Sequence, residues 1–298
     1  MTTAPDRFDV VVIGAGPAGT SAALRAAELG ARVAVVEAAR TGGTCVNTGC
    51  VPTRVFAKTA RLAREVRIAH RYGLAVSDPV IDWAETVARV RATVDRVRDL
   101  KDEPDRFARA GITLILEGRA RFVDANTLEL DSGRRLSGDS IIVAVGGHSR
   151  PLPIPGAELA VVPEHVLDLP ELPARLAIIG AGNTGAQLVT VFSAFGSRVT
   201  LLDVAPRVLA AADEQISDAV GAAFAEQGVE VRTGIETVEG LTAADDGSVV
   251  LGWREVGESR STTVDAVIMA TGWPADVEGL GLEAAGVQTV RSAIPVDQ

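Results

Sequence analysis

The sequence has little of several residue types on which whole classes of protein depend. Its 298 residues include two cysteines, three histidines and one tyrosine. Two cysteines are too few for the disulfide framework of a small secreted protein. Positive charge is also scarce, because 29 Lys and Arg face 39 Asp and Glu and give a net charge of −10. This balance disfavours nucleic acid as a partner, since binding to a phosphate backbone needs a basic surface.

Long apolar runs are missing as well. No run approaches the ~20 residues that cross a bilayer, and the first ten residues contain acids and no apolar signal region. We therefore expect a cytoplasmic protein without a membrane partner. Hydrophobic residues at 47% and charged residues at 23% are typical of a globular chain, and the length predicts two domains.

What the sequence does contain is an internal repeat. Residues 10–37 and 176–203 each have an apolar run, a G-x-G-x-x-G triplet, a helical stretch, and a second apolar run that ends in an acid. The first glycine precedes the acid by the same interval in both copies, 37 − 14 = 23 and 203 − 180 = 23. An isolated triplet can be a simple strand-to-helix turn, but two full copies predict two dinucleotide sites. Their glycines and acids are Gly14, Gly16, Gly19 and Glu37 in the first copy, and Gly180, Gly182, Gly185 and Asp203 in the second.

Each residue type of the repeat has a physical role. The first glycine permits a tight turn, the second lets a pyrophosphate approach the backbone, and the third lets the helix pack on its strand. Amides at the helix N-terminus favour a diphosphate, and the acid accepts hydrogen bonds from a ribose diol. Because Asp203 would repel a 2′-phosphate, the second site favours NADH over NADPH, a preference moderated by the nearby Arg198 and Arg207.

The two cysteines lie in the segment GGTCVNTGCVPT, with four residues between them. Its glycines, asparagine and proline indicate a turn, which fits poorly with two buried structural thiols. Cys50 would lie at the N-terminus of a helix starting near Pro52, where the helix dipole favours a thiolate. In a reducing compartment a close pair indicates a catalytic disulfide that cycles by exchange. A metal site is disfavoured, since four N or S ligands are needed and no histidine accompanies the pair.

The remaining pattern predicts an α/β fold made of two Rossmann-like dinucleotide-binding domains, the second inserted in the first. Residues 52–110 form a long helical region whose many arginines we interpret as a solvated face. The proline-rich residues 151–156 form a stiff connector and the best domain boundary. The predicted domains are residues 1–150, residues 151–272, and residues 273–298 as the start of a return to the first domain. Strands are predicted at 112–116, 119–123, 127–130 and 141–145, and in the buried run 264–273.

Taken in order, the cysteine segment, the two fingerprints, IIVAVGG and VDAVIMATGW resemble the pyridine nucleotide-disulfide oxidoreductases of the dihydrolipoamide dehydrogenase, mercuric reductase and glutathione reductase type. The resemblance implies FAD at the first fingerprint, NAD(P)H at the second, and electrons passing through the flavin to a Cys45–Cys50 disulfide and a small thiol or disulfide substrate. It also implies that Cys50 faces the flavin and that Cys45 meets the substrate. The cofactor-binding residues that we predict are Gly14, Gly16, Gly19, Glu37, Gly43, Thr44, Arg54, Ala120, Gly180, Gly182, Gly185, Asp203 and Gly272.

The chain departs from the family pattern at several positions. Arg54 stands where the family usually has lysine, and Gln187 where it has the partner glutamate. Because arginine stays protonated and glutamine is neutral, we expect added positive charge that favours reduced anionic flavin and a Cys50 thiolate. Arg54 and Gln187 therefore join Cys45 and Cys50 as candidate catalytic residues. Asn183 replaces a bulky residue of the nicotinamide pocket, which implies a more open pocket.

The family continues into a second FAD-contacting motif and a dimerisation domain that lie beyond Gln298. That domain supplies a His–Glu acid-base pair from the partner subunit, so a homodimer is expected only where it is present. We interpret the three histidines, His70, His148 and His165, as surface or satisfied side chains. Two other functions stay open. One is a flavoprotein of the NADH oxidase or transhydrogenase type, and the other is a non-catalytic dinucleotide-binding remnant.

Overall fold

In a computed structural model, which describes residues 4–290 and 293–296, the chain divides into two units. Unit 1 comprises Met1–Pro52, Ala92–His148 and Pro274–Gln298, and unit 2 comprises Thr53–Arg91 and Ser149–Trp273. The mixed α/β architecture with parallel sheets confirms the predicted fold class.

Short runs of β-branched residues form the sheet of unit 1, because such side chains pack well on a pleated surface. Its strand order is β3-β2-β1-β6-β5-β4. The first four strands in that order are parallel, and β4 and β5 extend the sheet in antiparallel fashion. All four residues of β2 are buried, as expected of a parallel strand covered on both faces. The strands are β1 (Asp6–Ile13), β2 (Val33–Val36), β3 (Thr113–Ile115), β4 (Ala120–Asp124), β5 (Thr127–Leu130) and β6 (Arg135–Val143).

Two helices in the first half of the chain contain residues of both units. The predicted helical region 52–110 contains several helices and is interrupted at residues 74–82, which are not helical. Gly73 adopts a left-handed φ of +78° there, a conformation that ends a helix at little cost for glycine. The helices are α1 (Pro17–Glu28), α2 (Gly43–Asn47), α3 (Cys50–Ile68), α4 (Trp83–Lys101) and α5 (Glu103–Arg109).

Unit 2 has a four-stranded parallel sheet of order β13-β7-β8-β9 and a three-stranded antiparallel sheet of order β10-β11-β12. Apolar side chains from both sheets share one buried cluster, which includes Ile179, Leu251 and Trp253. The elements are β7 (Arg175–Ile179), α6 (Asn183–Phe195), β8 (Arg198–Asp203), α7 (Glu214–Glu226), β9 (Glu230–Thr233), β10 (Thr237–Ala243), β11 (Val249–Glu255), β12 (Glu258–Val264) and β13 (Ala266–Met269).

Residues Thr53–Arg91 group with unit 2, although the sequence assigns them to the first domain. Aromatic packing explains the grouping. The rings of Phe56 and Trp83 stack at 5.6 Å with an interplanar angle of 5°, and Phe195 meets Phe56 edge-on at 5.9 Å. The Trp83 Nε1 donates to the carbonyl oxygen of Leu169 at 2.9 Å. The helical segment therefore covers a hydrophobic face of α6 that would otherwise be exposed.

Candidate functional site

The first glycine turn connects β1 to α1. Gly14 has a φ of +103°, and a Cβ at this position would overlap the carbonyl oxygen of Ala144. A Cβ at Gly19 would overlap the carbonyl oxygen of Gly14, so both positions require glycine. Gly16 caps α1 without a side-chain hydrogen bond, and Pro17 is the first helical residue. The helix therefore begins with bare backbone, which suits a bound diphosphate.

Glu37 lies at the end of β2 and is fixed beside the same turn. Its Oε2 accepts a hydrogen bond from the amide of Ala15 at 2.9 Å, and its Oε1 accepts one from the amide of Ala39 at 2.8 Å. The carboxylate thus joins the glycine turn to the loop after β2. Each oxygen retains a lone pair, so the group can still accept from a hydroxyl.

The second glycine turn, between β7 and α6, repeats this geometry. Gly180 has a φ of +106°, and a Cβ there would overlap the carbonyl oxygen of Ala270, the residue after β13. A Cβ at Gly185 would overlap the carbonyl oxygen of Gly180, whereas one at Gly182 would meet no atom within 4 Å. The first and third glycines are therefore structural, and the second leaves open space above the helix N-terminus.

Asp203 occupies in unit 2 the position that Glu37 has in unit 1. Its Oδ2 accepts a hydrogen bond from the amide of Ala181, and its Oδ1 accepts one from the amide of Ala205 at 2.7 Å. In both units the acid accepts from the residue after the first glycine and from the residue two positions after itself. The sequence repeat is therefore a structural repeat, down to the hydrogen bonds of its acids.

A cavity lies at each turn. The cavity of unit 1 is lined by Gly14, Glu37 and Ala120, all predicted from the sequence. Sequence reasoning missed the contribution of the segment that returns to unit 1 after residue 273. That segment pairs with the departing chain, because His148 donates its amide to Pro274 at 3.2 Å. The lining residues that were missed include Arg119, Val145, Asp276, Glu278 and Gly279.

The cavity of unit 2 is lined by the predicted residues Gly180, Gly182, Asp203 and Gly272. The proline-rich stretch 151–156, expected to be only a connector, also contributes to its wall. No local signal distinguishes a proline-rich wall from a proline-rich linker, since both are extended. The missed lining residues are Leu152, Pro153, Ile154, Val204, Ile235, Thr237, Val238, Ala270 and Thr271, with Ile179 from β7.

The cysteine segment contacts the first glycine turn. Gly42 and Gly43 both have positive φ, +92° and +53°. The amide of Gly42 donates to the carbonyl oxygen of Ala15 at 2.9 Å, and a Cβ at Gly43 would lie 2.8 Å from the Cα of Gly16. The structure therefore brings Gly16 and Gly43, two predicted cofactor contacts from distant parts of the sequence, into contact within unit 1.

The two cysteines lie on successive helices of this segment. Cys45 is half-buried in α2, and Cys50 is exposed as the first residue of α3. The helix begins two residues earlier than Pro52, so Cys50 lies at a helix N-terminus as predicted. Thr44, another predicted contact, accepts hydrogen bonds from the amides of Thr48 and Gly49 at 3.0 and 2.6 Å. These bonds close the tight turn that joins α2 to α3.

A buried carboxyl group lies against the same segment. Glu103 on α5 is 4% exposed. Burial raises the pKa of Glu103, and the charges of Lys101 and Arg106 oppose this rise. Thr41 and Gly42 of the segment also act to lower the pKa of the Glu103 carboxyl group. Its Oε2 has no hydrogen-bond partner within the described part of the chain. The sequence offered no signal for this group, because an acid in the first turn of a helix is usually solvated.

The remaining candidates are two polar residues and three histidines. Arg54 and Gln187 belong to unit 2, and both are exposed. The three histidines are exposed, and each has a polar neighbour. His70 Nδ1 is 2.9 Å from the Arg67 carbonyl oxygen. The other two face carboxylates, His148 that of Asp276 at 3.6 Å and His165 that of Asp168 at 3.1 Å. The interpretation as surface or satisfied side chains is confirmed.

Two further findings concern residues 4–290 and 293–296. Among them, no group of three or more His, Cys, Asp or Glu side chains is arranged to hold a metal ion. Within the same ranges, no helix combines the length and the apolar character needed to cross a membrane.

Comparison with known proteins decides the family. Residues 8–298 match the family described as pyridine nucleotide-disulphide oxidoreductase. The chain belongs to this family. It is 32% identical to a dihydrolipoyl dehydrogenase of Geobacillus stearothermophilus, over 97% of this chain and 62% of the relative. It is 33% identical to a glutathione reductase of Nostoc, over 96% and 61% of the two chains. A mercuric reductase of Lysinibacillus sphaericus is 34% identical, over 96% and 52%.

Solved structures agree. The HOCl-induced flavoprotein disulfide reductase RclA from Escherichia coli superposes with a TM-score of 0.83 at 28% identity, covering 97% of this chain and 62% of RclA. The resemblance to this family inferred from the sequence is therefore confirmed, and the cofactors of the family are FAD and NAD(P)H. The chain spans about half to three fifths of the length of the relatives it matches.

Proposed function

We propose that the chain carries the NADH-binding, FAD-binding and disulfide-bearing parts of a flavin-dependent disulfide oxidoreductase. The observation that supports this most directly is the contact between Gly43 of the cysteine segment and Gly16 of the first glycine turn. It ties a redox-active cysteine pair to a dinucleotide site within one unit. A non-catalytic binding module would have no use for that connection.

The residues of unit 1 fit FAD. Gly16 leaves the N-terminus of α1 open to a pyrophosphate, and Glu37 is held where it can accept from a ribose hydroxyl. Gly14, Ala120 and the return segment form the surrounding wall, and Gly19, Gly43 and Thr44 shape the turn. When bound, FAD supplies two-electron transfer between a nicotinamide and a disulfide.

The cysteines carry the thiol chemistry in this proposal. Cys50 is the first residue of α3. Reduction of the Cys45–Cys50 disulfide takes up two electrons and two protons and leaves two thiols. Cys45, as thiolate, attacks one sulfur of a substrate disulfide and releases the first substrate thiol. Cys50 then attacks Cys45, which releases the second thiol and restores the protein disulfide.

The residues of unit 2 fit NADH better than NADPH. Asp203 lines the cavity and accepts a hydrogen bond from the glycine turn. Arg198 begins β8 and Asp203 ends it, so the two are separated by about 16 Å along the strand. The Arg207 Nη2 donates to the carbonyl oxygens of Ala210 and Ala212, each at 3.3 Å. Arg198 is therefore distant from the acid, and the Arg207 Nη2 is already bonded to backbone carbonyls.

This assignment predicts the effect of removing the acid. Asp203→Ala should raise the Kd for NADH by about tenfold to a hundredfold, the usual cost of losing hydrogen bonds to a charged group. The Kd for NADPH should change less, because the variant loses a repulsion together with the hydrogen bonds. Calorimetric titration of both nucleotides measures the ratio. Asp218→Ala, an exposed acid on α7, is the matched control. An unchanged Kd for NADH in Asp203→Ala would contradict the assignment.

We also propose a cellular compartment and an oligomeric state for the protein. A cysteine pair that cycles through a disulfide suits the reducing cytoplasm, and the substrate is a small thiol or disulfide compound. A homodimer is proposed for a protein in which these two units are joined to a dimerisation domain.

One experiment tests the function directly. The chain is loaded with FAD, freed of excess flavin, and mixed with NADH without oxygen. We expect the flavin absorbance to fall and about two new thiols per chain to appear, because one disulfide yields two thiols. NADPH at equal concentration should act more slowly. A protein that binds no FAD would contradict the proposal and favour the dinucleotide-binding remnant. Bleaching without new thiols would favour an NADH oxidase or transhydrogenase.

A further inference from the structure

One arginine of the helical region is partly buried and contacts the cysteine segment. Arg98 lies on α4 with 27% of its side chain exposed, and its Nη1 pairs with Asp95 Oδ1 at 2.9 Å. Its Nε and Nη2 both donate to Asn47 Oδ1, at 3.2 and 2.9 Å. The ion pair with Asp95 and the two hydrogen bonds to Asn47 together fix the orientation of the guanidinium.

Asn47 transmits this contact to the backbone of the turn. Its Nδ2 donates to the carbonyl oxygens of Thr41 and Gly43, at 3.1 and 2.9 Å. The amide thus uses both donor hydrogens and its acceptor oxygen, and these contacts fix its orientation. The two carbonyls flank Gly42, whose left-handed φ of +92° must be maintained for α2 to start where it does.

Glu103 is buried beside the same turn. Burial raises the pKa of its carboxyl group, and Thr41 and Gly42 act to lower it. Two side chains only five positions apart in the sequence therefore lie at the turn formed by residues 41 to 43. All of these residues belong to unit 1. Neither Arg98 nor Glu103 lines either of the two cavities described above. What the turn carries is α2, and α2 carries Cys45.

We propose that Arg98 and Glu103 are positioning residues for the redox cysteines. They hold the turn so that Cys45 stays where it can bond to Cys50. A disulfide requires Cβ atoms about 3.5–4.5 Å apart, and the turn at Gly42 and Gly43 sets where α2 begins and thus where Cys45 lies. The inference rests on the proposed function in one respect, the pairing of the two cysteines.

The test is the redox equilibrium of the pair in the purified chain, measured in buffers of reduced and oxidised glutathione by alkylation and mass spectrometry. In this exchange one cysteine thiolate attacks glutathione disulfide and releases one glutathione. The second cysteine then displaces the other glutathione, so the protein loses two electrons and two protons. Arg98→Met and Glu103→Ala should each lower the oxidation equilibrium constant by about tenfold, a shift of about 30 mV to higher potential.

Conservative variants separate positioning from general damage. Arg98→Lys keeps the charge but not the forked donor and should lie between wild type and Arg98→Met. Glu103→Gln keeps an acceptor oxygen and should lie close to wild type. Arg96→Met, an exposed arginine on the same helix, should leave the potential unchanged. If Arg98→Met does not fold, Arg98→Lys carries the comparison, and its potential must exceed that of wild type.

Two results separate the positioning role of Arg98 and Glu103 from the redox role of Cys45 and Cys50. Wild-type potentials in folded Arg98→Met and Glu103→Ala would overturn the positioning role. A wild-type chain that forms no Cys45–Cys50 disulfide in oxidised glutathione would overturn the redox role of the cysteines themselves.

Discussion

Cys50→Ser should abolish the appearance of thiols when the FAD-loaded chain is mixed with NADH. The wild-type chain should gain about two thiols, whereas the variant has no disulfide to open. Bleaching of the flavin by NADH should persist, because the glycine turns and the acids that bind both dinucleotides are untouched. Turnover of a disulfide substrate should fall by about a thousandfold or more, as expected when a covalent nucleophile is lost. Thiol titration and absorbance on the same sample measure both effects.

Two further variants serve as comparisons for Cys50→Ser. Cys45→Ser should also yield no new thiols, since either loss prevents the disulfide. Thr48→Ala alters an exposed residue between the two cysteines and should behave like wild type. Full substrate turnover in Cys45→Ser would count against the disulfide mechanism and support the NADH oxidase alternative.

The second large effect concerns stability. Gly180→Ala should destabilise unit 2 by about 3 kcal/mol or more, because a forced left-handed φ and a steric overlap each cost on the order of 1–3 kcal/mol. Gly180 has a φ of +106°, and its new Cβ would lie 2.7 Å from the carbonyl carbon of Ala270. Urea unfolding followed by the fluorescence of Trp253, which is buried in unit 2, measures the loss.

Gly182→Ala is the matched comparison. Its Cβ would meet no atom within 4 Å, and replacing glycine by alanine at a helix N-cap costs about 1 kcal/mol or less. The same methyl group would occupy the space above the helix N-terminus, so NADH affinity should fall by about tenfold or more. One variant should thus lose stability and the other mainly binding. Equal stability of Gly180→Ala and wild type would contradict the structural role of the first glycine.

Local features were predictable from the sequence because their causes are local. The positive φ of Gly14 and Gly180 and the start of a helix at Cys50 follow from steric rules within a few residues. The equal spacing of Glu37 and Asp203 from their glycine turns predicted two equivalent sites. The structure shows the same pair of amide hydrogen bonds at both acids.

Features that depend on distant partners were not predictable. The assignment of residues 53–91 to unit 2 depends on Phe56 and Trp83 meeting α6, more than 100 residues away in sequence. The arginines of the helical region were interpreted as a solvated face, which is wrong for two of them. Arg98 donates to Asn47, and Arg67 donates to the carbonyl oxygen of Ala194. The spacing of the arginines in the sequence does not predict which of them donates a hydrogen bond to a distant residue.

The pairing of β1 with β6 has a consequence for how the protein is made. Asp6 lies opposite Leu136 in this parallel pair, a separation of 136 − 6 = 130 residues. At roughly 5–20 residues per second of synthesis, β1 waits on the order of ten seconds for that neighbour after leaving the ribosome. β1 can pair with β2 almost at once, but its other edge stays unpaired until β6 is made. Both cysteines have left the ribosome by then. The nascent chain therefore presents both cysteines beside an unfinished sheet, a state in which a chaperone that covers the open edge of β1 would protect it most.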